Sequence, residues 1–201
     1  MEVTAEQKET TREMIVRKAA ELFNLHGYMG CSMSDIMEAT QLKKGGIYNH
    51  FTSKDEIALE AFKYSYTKVI ERFRSRLDRD TSPVEKLFSI IDVYASLIEE
   101  PVMKGGCPIF NTAVDASDNH SELKEMAKDG LIQLQRYIEI KVEEGIRSKM
   151  ISSTCNPSEI ASLIIINLEG AIIMNRINEN NLHMQNAVRF LKRHISQYIN
   201  N

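Results

Sequence analysis

Residues 32–51 constrain the chain most. Two short segments that can start helices, one at Ser32 or Ser34 and one at Lys43, are separated only by Thr40-Gln41-Leu42. Four apolar residues, Ile36, Leu42, Ile47 and Phe51, punctuate them. A short helix hides one narrow stripe, so two of them joined by so tight a turn must close on each other and on a third helix. Upstream, Thr10 or Thr11 can cap that third helix. Its Ile15, Ala19, Leu22 and Phe23 recur at i, i+4, i+7 and i+8, and Gly27 is placed to stop it. Downstream, Thr52 or Ser53 can cap a long fourth helix beginning at Lys54, with Asp55 and Glu56 in the first turn, where the helix dipole favours acids.

The segment from Leu42 to Phe51 is also chemically distinctive. Between its apolar anchors it carries two lysines, two glycines, a tyrosine, an asparagine and a histidine, and no acid occurs between Thr40 and Lys54. Lysines neutralise phosphate, glycine admits close backbone approach, and Tyr, Asn and His hydrogen-bond to phosphate or base edges. The formal net charge is −3, which argues against non-specific coating of nucleic acid but leaves room for one small basic face. The acidic excess sits elsewhere, at Glu99-Glu100, Asp115, Asp118 and Glu122 to Glu125.

The remainder reads as further helices. Arg79 to Pro83 looks like a joint. After it come Val84 to Ile98, a Gly105-Gly106-Cys107-Pro108 break and a short helix over about 109–116. A polar connection spans 117–120, followed by a long periodic helix from Ser121 to about Lys149. A loop at 152–157 precedes two last helices near 158–176 and 182–199. No strand pattern, repeat or low-complexity tract is present. The expected fold class is all-α, with about nine helices in total: a helix-turn-helix head and a helical-bundle C-terminal domain. The longest wholly apolar runs, Leu163 to Ile166 and Ala171 to Met174, fall far short of a membrane span of roughly 20 residues. The N-terminus lacks the apolar core of a signal peptide, and three cysteines at wide spacing suggest free thiols in a reducing compartment. A cytoplasmic protein without a membrane partner is expected. No metal-type His or Cys pair, nucleophile elbow or phosphate loop is found, so neither a cofactor nor an enzyme activity is expected.

The first 60 or so residues resemble the DNA-binding domain of the TetR family of transcriptional regulators. The matching residues are Ala19 to Phe23, Gly27-Tyr28, Ser32, Asp35-Ile36, Ala39, Gly45, Tyr48, His50-Phe51 and Lys54. Two positions depart from the family's pattern: Gln41 stands where Gly is usual in the turn, and Lys43 where Ser or Thr often caps the recognition helix. The resemblance implies a DNA-binding domain over 9–69, with its helix-turn-helix at about 32–51, and a ligand-binding and dimerisation domain over 80–201. The implied function is a regulator, by the family's habit a repressor, that binds a double-stranded DNA operator as a homodimer and is released by a small-molecule effector. Lys43, Lys44, Gly45 and Gly46 are then expected to open the recognition helix onto bases or phosphates. Tyr48, Asn49 and His50 would meet the backbone, Lys54 would offer its N–H and ammonium to phosphate, and Ser32 and Ser34 would do likewise from the preceding helix.

For the second domain the same likeness suggests a dimer face along the last two helices, drawn on Ile160, Leu163, Ile164, Asn167, Leu168, Ala171, Phe190, Leu191 and Ile195. An ordinary intramolecular core contact is the other reading of those residues. Candidate effector-pocket walls are Phe88, Tyr94, Met103, Cys107, Phe110, Asn111, Met126 and Tyr137. Pro108 at a first helical position would set Cys107 near a helix N-terminus, where the dipole lowers a thiol pKa. That leaves a thiol-based electrophile or redox sensor as the alternative to a simple effector pocket. Asn111 and Asp115 share a helical face and point either into the pocket or across to another helix.

Overall fold

A computed structural model describes residues 9–116 and 120–200; the polar connection expected over 117–120 lies, except for His120, outside the described residues. The chain is all-α. Nine helices occur among the described residues: α1 (Thr11–Gly30), α2 (Met33–Thr40), α3 (Lys44–Tyr48), α4 (Lys54–Leu77), α5 (Pro83–Glu99), α6 (Pro108–Asp115), α7 (Ser121–Arg147), α8 (Pro157–Asn178) and α9 (Leu182–Ser196). Among the described residues the only pairing of extended residues is an isolated antiparallel bridge between Ile151 and Ile199.

Local chemistry sets the boundaries. Thr10 caps α1 in a reciprocal box with Glu13, Ser32 caps α2 with Asp35, and Ser82 caps α5 with Glu85. Gly27 does not end α1 outright. It takes φ 74° as a kink inside the helix, which then resumes to Gly30. Gln41 stands in the left-handed region at φ 58° and makes the turn that glycine would make without strain. Lys43 precedes α3 with no side-chain cap bond, and α3 is shorter than expected, ending at Tyr48.

Ile15, Val16, Ala19 and Ala20 of α1, Ile36 of α2, Ile47 of α3, Phe51, and Ile57 and Ala61 of α4 form the head's core. Met103, from the stretch before α6, inserts into the same cluster, so the head is packed against the body rather than hung from it. The larger core is built by α5, α7, α8 and α9 with the second half of α4. The expected boundary between 69 and 80 falls on the last turns of α4 and the loop after it, and α4 runs unbroken through both cores.

The two last helices correct the expected dimer face. Ile160, Ile164, Leu168 and Ala171 of α8, with Leu191 and Ile195 of α9, are buried inside one protomer, against α5 and α7. Leu163 is packed partly against the same core, and Asn167 donates to the Leu163 carbonyl at 2.8 Å. Of the nine, only Phe190 is exposed. The apolar surface left open lies on the other side of α8: Ile166 (67 %), Ile173 (54 %), Met174 and Ile177 (71 %), with Leu182 and Phe190 of α9. By length and composition alone α8 could cross a membrane, although its wholly apolar runs are short; half of its most apolar window is buried in the protomer, as in a core helix.

Candidate nucleic-acid interface and ligand cleft

At the head, α2 and α3 present one polar surface. Lys43, Lys44, Gly45, Tyr48, Asn49 and His50 are exposed, Gly46 is half-buried, and Ile47 and Phe51 point inward. Neither Lys43 nor Lys44 enters a salt bridge found among the described residues; Lys44 Nζ lies 5.6 Å from the Tyr48 ring centre. Three nearby carboxylates, in contrast, are occupied. Asp35 accepts from the Ser32 N–H at 2.6 Å and hydroxyl at 2.7 Å. Glu56 accepts from the Thr52 N–H at 2.7 Å and hydroxyl at 2.8 Å, and Asp55 accepts from the Tyr28 hydroxyl. These bonds hold the Asp35 and Glu56 carboxyls below their ordinary range, with the backbone bond the larger cause in each. These three acids are therefore engaged while the lysines stay free, which gives the end of α3 a positive character that the whole chain lacks.

Gly45 has no reason within the protein to be glycine. A Cβ built there meets nothing within 4 Å, and the residue has ordinary helical geometry. Glycine in a helix costs about 1 kcal/mol against alanine, and no contact within the protein offsets that cost.

Two expected contacts are reassigned. The Lys54 ammonium is turned into the fold: it donates to the Tyr28 carbonyl at 2.7 Å and the Cys31 carbonyl at 2.8 Å, and lies 3.9 Å from the Tyr28 ring centre. It satisfies orphan carbonyls at the end of α1. Ser32 spends its hydroxyl on the α2 cap. Ser34 is exposed and keeps its own.

The candidate effector residues fall in several places. Tyr94, Met103 and Cys107 share a small apolar cavity of about 30 Å³ with Phe73, Leu134 and Ile172, room for one water. Tyr137 borders a groove of about 270 Å³ with Tyr66, Ile70 and Gln133. Phe88 packs against the main core and Met126 against a satellite cluster under α1 and α4; neither lines these spaces. Cys107, Phe110 and Asn111 border a cleft of about 380 Å³ between the head and the body, closed by Phe23 to Gly27 of α1 and by Glu169, Ile172, Ile173 and Arg176 of α8.

Polar contacts across this cleft bind head to body. Asn111 donates to Asn24 Oδ1 at 3.0 Å and the Gly105 carbonyl at 2.8 Å, so it bridges helices at the cleft wall. Asn24 donates to the Lys104 carbonyl at 2.7 Å and the Gly106 carbonyl at 3.0 Å. Arg176 donates to the Gly105 carbonyl, and Asp115 accepts the Tyr28 N–H at 2.6 Å. Gly105, at φ 105°, is required here: a Cβ would sit 2.4 Å from the Asn24 carbonyl oxygen.

Glu169 was missed by reading the sequence. It is only 4 % exposed, and its Oε1 has no hydrogen-bond partner. Burial pushes its carboxyl up to about 7, against the opposing pull of Cys107 and Tyr94, which hydrogen-bond to its charged form. The signal was present: Glu169 is the one charged residue from Ile160 to Asn175. Burial, with Glu169 beside it, reverses the expectation for Cys107. The thiol does precede α6, with Pro108 at the first helical position, but burial and the neighbouring Glu169 raise it well above its ordinary value, outweighing the helix N–H groups that lower it.

Comparison with known proteins places these features. Residues 15–61 match the family model described as "Bacterial regulatory proteins, tetR family", and residues 83–191 match "Tetracyclin repressor-like, C-terminal domain". A TetR transcriptional regulator from Chloroflexus aurantiacus is 40 % identical and superposes with a TM-score of 0.91, over 94 % of this chain and 96 % of that one. A TetR-family regulator from Cytophaga hutchinsonii is 27 % identical, with a TM-score of 0.87 over 97 % and 100 % of the two chains. Among characterised relatives, the HTH-type transcriptional repressor DhaR of Mycobacterium sp. (strain GP1) is 26 % identical over 174 residues, 84 % of each chain.

Proposed function

The chain belongs to the TetR family of transcriptional regulators, and we propose from that premise that it is a repressor which binds a near-palindromic DNA operator as a dimer and is released by a small molecule. The observation that carries the reading is the free, acid-free end of α3, with Lys43 and Lys44 unpaired beside a glycine that no contact within the protein requires. A dimer sets two such ends in successive major grooves, about 34 Å apart. The apolar strip of α8 and α9 that one protomer leaves open supports that pairing: Ile166, Ile173 and Ile177 lie at i, i+7 and i+11 on a helix whose opposite side is already buried. A four-helix contact across a two-fold axis would cover it.

The cleft between α1, α6 and α8 supports the effector reading, because its walls come from both head and body. A ligand that binds there better in one head orientation than the other shifts the population toward that orientation, and only such differential affinity drives release. DhaR is described as a repressor, which supports repression here. The buried, raised Cys107 thiol favours an effector pocket over an electrophile sensor.

The test is a mobility-shift assay on the DNA flanking the coding sequence. Lys44→Ala and Tyr48→Phe each weaken the shifted complex while the hydrodynamic size stays that of a dimer. Unchanged binding in both variants removes α3 as the recognition helix.

A further inference from the structure

We propose that Glu169 is the polar anchor of the effector site, and that the effector it selects is an apolar molecule carrying a hydrogen-bond donor, best of all a protonated amine. This rests on the reading that the head–body cleft is an effector site, and it assigns the chemistry that site accepts.

The cleft's other polar side chains largely have partners. Asn24 and Asn111 hold each other and the 104–106 carbonyls, Arg176 is on the Gly105 carbonyl, and Asp115 is on the Tyr28 N–H. His26 is exposed at the rim. Glu169 alone combines deep burial with an oxygen that has no partner, in a wall otherwise made of Phe110, Ile172 and Ile173. A buried carboxyl oxygen without a donor is costly, and that cost is removed when a ligand supplies the donor. Tyr94 and Cys107 lie against the same carboxyl. They hold its position, and the Glu169 side chain is part of the cleft wall. A carboxylate ligand would meet Glu169 as a second like charge or force it to stay protonated, so anions are disfavoured. At about 380 Å³ the cleft falls within the range of about 300 to 1,000 Å³ usual for small-molecule sites.

Three probes of one shape separate the possibilities: benzylamine, benzyl alcohol and benzoate, titrated into the full-length protein by calorimetry. Benzylamine is expected to bind roughly tenfold more tightly than benzyl alcohol, a charge-assisted against a neutral hydrogen bond, with benzoate weakest. In Glu169→Gln the amine falls to the level of the alcohol. If that variant does not fold, the Glu169 carboxyl carbon in the wild-type protein is followed by NMR and shifts as benzylamine is added. Benzoate binding as well as benzylamine, amine affinity indifferent to Glu169, a carboxyl signal that does not move, or no binding by any probe overturns the proposal. A mobility-shift assay with the same probes is scored separately. Benzylamine that binds through Glu169 yet leaves the operator complex intact refutes the effector reading and leaves the amine subsite standing.

Discussion

The ammonium of Lys54 lies 3.9 Å from the centre of the Tyr28 ring and donates to the Tyr28 carbonyl at 2.7 Å. The first residue of α4 therefore closes the end of α1, and a lysine that resembles a phosphate ligand in the sequence is a structural cap. The Tyr28 hydroxyl, pushed up to about 12 by burial and its bond to Asp55, remains protonated and completes the joint.

Lys54→Met accordingly lowers stability by about 2 kcal/mol, the worth of charge-assisted hydrogen bonds, while the salt dependence of operator binding changes little. Lys44→Ala does the reverse, reducing the slope of log affinity against log salt by about 1 with little effect on stability. Denaturant titrations paired with salt-dependent anisotropy separate the two. A reduced slope in Lys54→Met would return that ammonium to the DNA.

Gly45→Ala isolates close approach to DNA from folding. The added methyl meets nothing in the protein, so stability rises by about 0.5 to 1 kcal/mol from helix propensity. Operator affinity falls by roughly tenfold, or about 1.4 kcal/mol, because the methyl occupies the gap to the duplex. Thermal melts and mobility shifts on one preparation suffice, and an affinity equal to wild type removes the close-contact role.

The head was legible in the sequence because each of its devices is local. Ser32 and Asp35 three residues apart form a capping box, and Ile36, Leu42, Ile47 and Phe51 have little choice of partner. Gln41 announced its left-handed turn by standing between two helices with no room for a loop. α8 was legible as a helix but not as a surface. With Ile164 and Leu168 on one side and Ile166, Ile173 and Ile177 on the other, periodicity cannot say which stripe faces the protomer, because the answer depends on where α5 and α7 arrive. The Lys54 ammonium was misread and Asn111 was left open between a pocket and a bridge for a related reason: a polar side chain shows its chemistry in sequence, but whether a carbonyl from a distant turn has already claimed it is a tertiary fact.

The two stripes of α8 predict opposite consequences for the same substitution. Ile166→Asp or Ile177→Asp, on the open side, leaves the protomer folded and dissociates the dimer, removing about 3 kcal/mol or more from an interface that contains each residue twice. Ile164→Asp, fully buried, places an unpaired charge in the core and abolishes folding. Sedimentation equilibrium with circular dichroism reads both. Dimers that persist in both open-side variants move the interface elsewhere.

Glu169 predicts the pH dependence of stability. Its carboxyl is raised from 4.5 to about 7, chiefly by burial, so between these values the folded state holds a proton that the unfolded chain has released. The contribution is fully present below about pH 4.5 and is lost as pH rises through 7. At about 1.4 kcal/mol per pH unit the whole effect is about 3.5 kcal/mol. Gln has the shape of the protonated acid and cannot ionise, so Glu169→Gln is more stable than wild type at pH 8 and nearly equal to it at pH 5. Urea midpoints between pH 5 and 8 give both curves. Parallel curves, or a wild-type protein whose stability rises across that interval on account of this residue, would place an ionised carboxylate in the folded state and a solvated path to it. A saturating amine ligand narrows the gap between wild type and variant at pH 8, since it supplies the donor that the ionised carboxylate lacks.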